Sequence, residues 1–224
     1  MNNIKIKKVS QNKEFLVALA IILICILLSL SFPSKNSFQG LTKGFFFLFI
    51  VPILYIKLVL KKNVADFGLN IQNKMKGFVW GSLMLVLSLI IAYLFIKYTP
   101  FVSNYYIPPL LSGNFWAFSV NMLIFVNLVL FFQEYFFRGF TLSVFSQKIN
   151  AWSILVQAGL YFFIILFAQS GFKQELWQSM PFIILSITGG IIAYKSKSMI
   201  YSYISGFLFL IMLNSYLIQI IKTK

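Results

Sequence analysis

Residues 126–139 read Val126-Asn127-Leu128-Val129-Leu130-Phe131-Phe132-Gln133-Glu134-Tyr135-Phe136-Phe137-Arg138-Gly139. An acid stands inside a run of Phe, Leu and Val, and an arginine follows it one helical turn later. On a helix, residues i and i+4 share a face, and acid before base is the favourable order along it. A lone charge at the centre of a lipid-embedded helix costs roughly 2.5–3.5 kcal/mol on insertion scales. The segment therefore predicts a membrane helix whose polar stripe, with Asn127 two turns before Glu134 and Gln133 beside it, turns toward the interior of a bundle. Glu134 is the only acidic residue within any apolar run of the chain, and Arg138 is the one arginine among 19 basic residues.

The rest of the chain supplies the bundle. Of 224 residues, 60% are hydrophobic and 10% charged, against roughly 45–50% and about 25% in soluble domains. The mean hydropathy is +0.88. This excludes both an ordinary soluble globule and a disordered chain. One cysteine, Cys25, permits no internal disulfide, and the absence of histidine removes the commonest ligand for zinc and haem. No metal or cofactor set is expected.

A membrane-crossing helix needs about 20 apolar residues. The runs are Phe15–Phe32, Gly44–Leu60, Gly77–Lys97, Phe115–Phe137, Trp152–Ala168, Met180–Tyr194 and Met199–Ile221. They predict an all-α polytopic membrane bundle of about seven helices, eight being possible, as a single transmembrane domain over residues 1–224. The first run is longer than a signal-peptide core and reads as a retained helix. The net charge of +15 sits mostly in short loops, which points to anionic headgroups rather than to nucleic acid. Lys5, Lys7, Lys8 and Lys13, then Lys57, Lys61, Lys62, Lys74 and Lys76, then Arg138, Lys148, Lys195 and Lys197 fall on one side. Lys35, Lys43, Lys97 and Lys173 fall on the other. The positive-inside rule places the amino terminus in the cytoplasm of a cell whose cytoplasmic membrane the chain spans; seven spans leave Lys222 and Lys224 outside, against that rule. The uncharged loop between the third and fourth runs, with Pro100, Pro108, Pro109 and Gly113, reads as lying near the headgroups on the outer side.

Two readings of the Glu134–Arg138 pair stand side by side: a structural ion pair at the rim of the bundle, and a functional site, since intramembrane ionisable residues are functional by default. Gln157, Gln169 and Asn214 are further polar residues in apolar runs that need hydrogen-bond partners and are candidates to face the pair. Gly189-Gly190, and Ser202, Ser205 and Gly206, read as small-residue surfaces for close helix packing.

The run Gln133 to Gly139 resembles the Glu-Glu-x-x-x-Arg signature of the CAAX-protease and bacteriocin-processing family, also called Abi. Phe67-Gly68-Leu69-Asn70 with Lys74 and Lys76 is similar to the link before that family's core helices. Phe140–Asn150 resembles the amphipathic stretch after its first motif, and Thr188-Gly189-Gly190 with Lys195 and Ser198-Met199 the approach to its last core helix. The similarity covers roughly residues 65–215. It implies an all-helical intramembrane fold, with some members acting as proteases through glutamate, histidines and an asparagine.

This sequence departs from that pattern. Gln133 stands where the first glutamate belongs. The second motif falls at Phe163/Phe167 or Ile165/Gln169, and the third at Gly206/Leu210 or Leu210/Asn214, without histidine. Glu134 and Arg138 remain in register, with Asn214 a third candidate. Peptide hydrolysis needs a base or a metal to activate water and donors for the oxyanion. Gln133 takes no proton, no second carboxylate lies in an apolar run, and amides such as Gln169 and Asn214 make a weak metal set. Cys25, in mid-span, reads as filler. The expectation is a catalytically degenerate member acting by binding, as in bacteriocin self-immunity or as a scaffold for a cell-envelope protein or peptide. The alternatives are an endopeptidase with a reduced site using Glu134, Gln133 and Arg138, and a small proton-coupled transporter.

Overall fold

A computed structural model describes the backbone of residues 2–32, 37–71, 73–168 and 172–222, and side chains of residues 12–32, 38–71, 73–164 and 177–221. Among these residues the chain is helical without a strand. We label the long helices α1 (Asn2–Ser31), α2 (residues 37–59), α3 (Lys74–Tyr98), α4 (residues 115–149), α5 (Ser153–Ala168), α6 (Phe172–Ser196) and α7 (Met199–Lys222). Helices α2 and α4 are not uniform. Wider π-helical turns interrupt α2 at Phe45–Ile50 and Tyr55–Val59, and α4 at Asn121–Val126 and Tyr135–Thr141.

Six stretches are long and apolar enough to cross a membrane, so the chain is a multi-pass helical membrane protein. The sequence expectation was seven. The difference lies in one place: two expected runs fall within a single stretch, Phe115–Ile164, of 50 residues, more than twice the length of about 20 that a crossing needs. Within it the helix breaks at Asn150, whose backbone leaves the helical region at φ 49° and ψ −125°. The following short 3₁₀ turn, Asn150–Trp152, leads into α5.

Helix α6 is the axis of the bundle, packed against α3, α5, α7 and the π-helical turn of α4. It is the least apolar of the six stretches, with mean hydropathy 1.2, and the most enclosed, 56% of its window being buried against 17–33% for the others. The two facts belong together: a helix covered by protein has little need of lipid-compatible side chains, and small polar residues allow close approach. Ser88 Oγ on α3 meets Thr188 Oγ1 on α6 at 3.2 Å, and Ser205 Oγ on α7 donates to the Gly81 carbonyl on α3 at 3.1 Å. Outward-facing Leu83, Val86 and Ile90 of α3 are exposed, as lipid-facing positions require.

Side-chain pairing sorts the loops into two ends. Glu14 at the start of the first span pairs with Lys62 after α2 at 3.2 Å, Lys148 at the end of α4 donates to Asn12, and Lys195 at the end of α6 lies over the Trp80 ring of α3. This end gathers the lysine-bearing loops that the charge pattern grouped together. At the opposite end Phe101 meets Trp177, and Tyr105 donates to Asn214 Oδ1 at 3.4 Å. Burial pushes the Tyr105 phenol up to about 12, so it stays a neutral donor to Asn214 throughout the ordinary pH range. Asn114 opens α4 by accepting from the backbone N–H of Trp116 and Ala117, which satisfies two of the orphan donors of that helix start.

Candidate functional site

The π-helical turn Tyr135–Thr141 is buried over its whole length. Such turns are rare and concentrate at functional sites. Around it lies a cage of aromatic rings. Phe49 packs edge-on against Tyr135 at 5.1 Å, Phe137 edge-on against Tyr161 at 4.7 Å, and Phe136 edge-on against Phe137 at 5.0 Å. These rings form the core at the lysine-bearing end. A second, largely aliphatic core, with Leu130, Leu185, Phe209 and Leu213, fills the other end.

Between the two cores sit Glu134 and Arg138, 0% and 2% exposed. Arg138 Nη1 lies 3.2 Å from Glu134 Oε1, but the N–H does not align on the oxygen, and neither atom has a hydrogen-bond partner. The contact is therefore an ion pair without the added strength of a charge-assisted hydrogen bond. The other Glu134 oxygen is better held: Ser202 Oγ on α7 donates to Oε2 at 2.5 Å. Arg138 Nη2 donates to the Leu185 carbonyl on α6 at 2.7 Å, and the guanidinium carbon sits 4.5 Å from the centre of the Tyr161 ring on α5. The pair thus joins α4 to α5, α6 and α7.

The glycines of α6 explain how an arginine reaches a helical carbonyl. In a helix the Cβ leans back over the preceding turn, so a side chain at position 189 would cover the carbonyl of Leu185. A Cβ on Gly189 would stand 3.2 Å from Arg138 Nε and 3.3 Å from Nη2. Gly190 does the same for the next carbonyl: Gln157 Nε2 on α5 donates to Ser186 O at 2.7 Å, in the space a Gly190 Cβ would fill. The two glycines bare two successive carbonyls for two incoming donors. Read as packing residues from the sequence, they are packing residues whose partners are the polar groups themselves.

Gln133 is held too, since Tyr161 Oη donates to its Oε1 at 3.0 Å. One tyrosine therefore fixes both the amide at position 133 and the cation at position 138. Replacing Tyr161 by Phe removes the hydrogen bond and keeps the ring under the guanidinium. The expected loss is about 1 kcal/mol, read as a fall in thermal unfolding temperature in detergent. Tyr161→Leu, which removes the cation–π contact as well, loses about 1–2 kcal/mol more.

The other expected members of the site are placed apart from it. Asn127 accepts from Tyr203 Oη, so it meets α7 beside Ser202. Asn214 pairs with Tyr105 and with its own Leu210 carbonyl at the opposite end; it lies 12 residues beyond Ser202, or about 18 Å along the helix at ~1.5 Å per residue. Asn214 does not join Glu134, and the physical reason is that a nearer partner satisfies its amide. Gln169 lies outside the described residues. Ser202, Tyr161 and the Leu185 carbonyl carry the pair, and none of them has a type or spacing that singles it out in sequence. Among the described residues no three His, Cys, Asp or Glu gather as metal ligands.

No family model matches the chain, and no curated protein or solved structure matches it.

Proposed function

We propose that this protein is a catalytically silent member of the CAAX-protease and bacteriocin-processing family that acts by binding a membrane or cell-envelope protein or peptide, as in bacteriocin self-immunity or as a scaffold for a cell-envelope protein. The observation that carries this reading is the state of Glu134. Its carboxylate has no exposed surface, one oxygen faces Arg138, and the other takes the Ser202 hydroxyl. A general base must reach the water it activates, and this carboxylate is already engaged on both sides. Gln133, in the place of the signature's first glutamate, has no proton to move and is occupied by Tyr161. The residues that would do chemistry in an active relative here act as a fastening between helices.

The same reading places the lysine-rich end in the cytoplasm of a cytoplasmic-membrane protein, by the positive-inside rule. It treats the remaining apolar and aromatic outer faces of α1, α2 and α3 as lipid-facing or as partner-facing.

Purified protein in detergent, incubated with membrane peptides bearing a carboxyl-terminal prenylated cysteine or a bacteriocin leader, is expected to give no cleavage product by mass spectrometry. An affinity pull-down from native membranes is expected to recover one membrane partner reproducibly. Product formation that disappears in Glu134→Gln at equal folded yield would reverse the proposal in favour of a reduced-site endopeptidase. Proton-coupled uptake into proteoliposomes would reverse it in favour of transport.

A further inference from the structure

Helices α3 and α7 both begin at the lysine-bearing end and pack side by side, and an apolar groove of about 210 Å³ lies between them on the outside of the bundle. Its walls are Phe78 and Leu85 of α3 and Ile204 and Leu208 of α7, over a floor of Gly81 and Ser205. Gly77 and Tyr201 stand at the mouth nearest the lysines. Phe78, Ile204 and Leu208 are 70%, 48% and 43% exposed, so the groove opens outward, toward lipid. We propose that it holds one acyl chain of a phospholipid from the leaflet at the lysine-bearing end, with the lipid's phosphate against Lys74 and Tyr201.

The length of the groove fits one leaflet. From Gly77 to Leu85, and from Tyr201 to Leu208, it runs ~12 Å and ~10 Å at ~1.5 Å per residue. One leaflet contributes about 15 Å to a hydrocarbon core of about 30 Å. The groove thus starts at headgroup level and ends short of the midplane, as a chain entering from one side requires. Its mouth offers donors. Lys74 precedes Gly77 and Phe78 by three and four residues, so it stands on the groove's face of α3. It is exposed, without a carboxylate partner among the described residues, and neither α3 nor α7 carries an acid to compete for it. Tyr201 Oη also has no hydrogen-bond partner among the described residues. Helical side chains lean toward the helix start, which for both residues is the headgroup side.

Two occupants could fill such a furrow in a membrane, a lipid chain or a helix of a second copy, and the floor separates them. Helices that associate in lipid through small residues need those residues bare, so that backbones approach closely. Here the chain has already used them. The Tyr201 ring covers Gly77, where an added Cβ would stand 2.3 Å from it, and Ser205 Oγ donates to the Gly81 carbonyl at 3.1 Å. What remains is narrow and short, a fit for an alkyl chain and not for a helix about 10 Å across. Burial from water does not drive the binding, because lipid tails are as apolar as leucine. Contact does: an unfilled groove forfeits the dispersion of its walls, and a chain inside it meets protein on three sides. The inference does not depend on family membership.

The test uses the full-length protein, delipidated in neutral detergent and incubated with dioleoyl phosphatidylglycerol or dioleoyl phosphatidylcholine. Native mass spectrometry counts the lipids that stay bound once the detergent is stripped. One phospholipid per chain is expected with either headgroup, since both carry the phosphate. Ser82→Phe places a ring in the groove from an exposed position of its lining. It should lower retention about tenfold, the worth of roughly ten lost carbon contacts. Ser82→Leu is the smaller plug should the Phe variant unfold at a lower temperature without lipid. Lys74→Gln should lower retention by at most about fivefold, as for an exposed ion pair. Leu83→Phe, exposed on α3 outside the groove, should leave it unchanged. Retention of no phospholipid, or equal retention in the parent and both Ser82 variants, overturns the proposal. So does an equal loss in Leu83→Phe, which would make the lipid part of the general annulus. A dimer of the parent chain that Ser82→Phe dissociates would overturn it as well, by giving the groove to a second copy.

Discussion

Arg138→Ala is expected to cost about 3–5 kcal/mol and to remove most folded protein from the membrane fraction. The substitution leaves the Glu134 carboxylate buried with Ser202 as its remaining partner, takes the donor away from the Leu185 carbonyl, and empties the face of the Tyr161 ring. Most of the loss is the cost of a buried charge without its counter-charge, not the worth of the pair as such. This distinction is measurable. Replacing both partners by neutral residues of similar shape, Glu134→Gln with Arg138→Met, should recover more than half of the loss, since buried ion pairs often do no better than apolar substitutes. A double-mutant cycle on thermal unfolding in mixed micelles, followed by tryptophan emission, gives the coupling. If Arg138→Ala unfolds at the temperature of the parent protein, the pair does not hold these helices together.

Gly139→Ala is the second large effect. In the middle of an ordinary helix alanine is about 0.5–1 kcal/mol better than glycine, so propensity alone predicts a gain. The surroundings reverse it. A Cβ on Gly139 would stand 2.7 Å from the Phe67 carbonyl oxygen, and one on Gly68 would stand 2.8 Å from Gly139 Cα. Both obstacles are backbone, which has no rotamer to give way. Gly68 also has φ 90°, a region that L side chains rarely adopt. The loop after α2 therefore has to lift off α4, weakening the bonds from Met199 and Ser198 to Gly68. The expected net loss is about 1–3 kcal/mol, with faster proteolysis within residues 61–73 as the local readout. Increased stability in Gly139→Ala would show that the loop does not press on the helix as described.

Much of this architecture is legible from periodicity and charge, because lipid imposes a simple rule on length and composition. Each expected apolar run coincides with a long helix, and side-chain contacts bring Lys62, Lys148 and Lys195 to one end, as the charge pattern grouped them. The counts differ because residues 115–164 form one continuous apolar stretch, although the sequence reads two runs there and the backbone breaks between them at Asn150. The pair itself was legible, since one acid and one arginine at i, i+4 in an apolar run leave little choice. Its anchors were not. Ser202 is one of several serines on α7, Tyr161 one of 11 tyrosines, and the Leu185 carbonyl has no sequence signature beyond the glycine one turn later. Asn214 misled because an amide in an apolar run announces that it needs a partner but does not say which one.

The enclosed position of α6 bears on how the protein is made. With a mean hydropathy of 1.2 and Ser179, Ser186, Thr188 and Ser196 buried, this segment gains least of the six from entering oil by itself. Its favourable transfer depends on surfaces offered by α3, α5 and α7, one of which emerges from the ribosome after it. Substitutions on α7 are therefore expected to be felt partly as poorer membrane retention of α6, the segment least suited to lipid by itself.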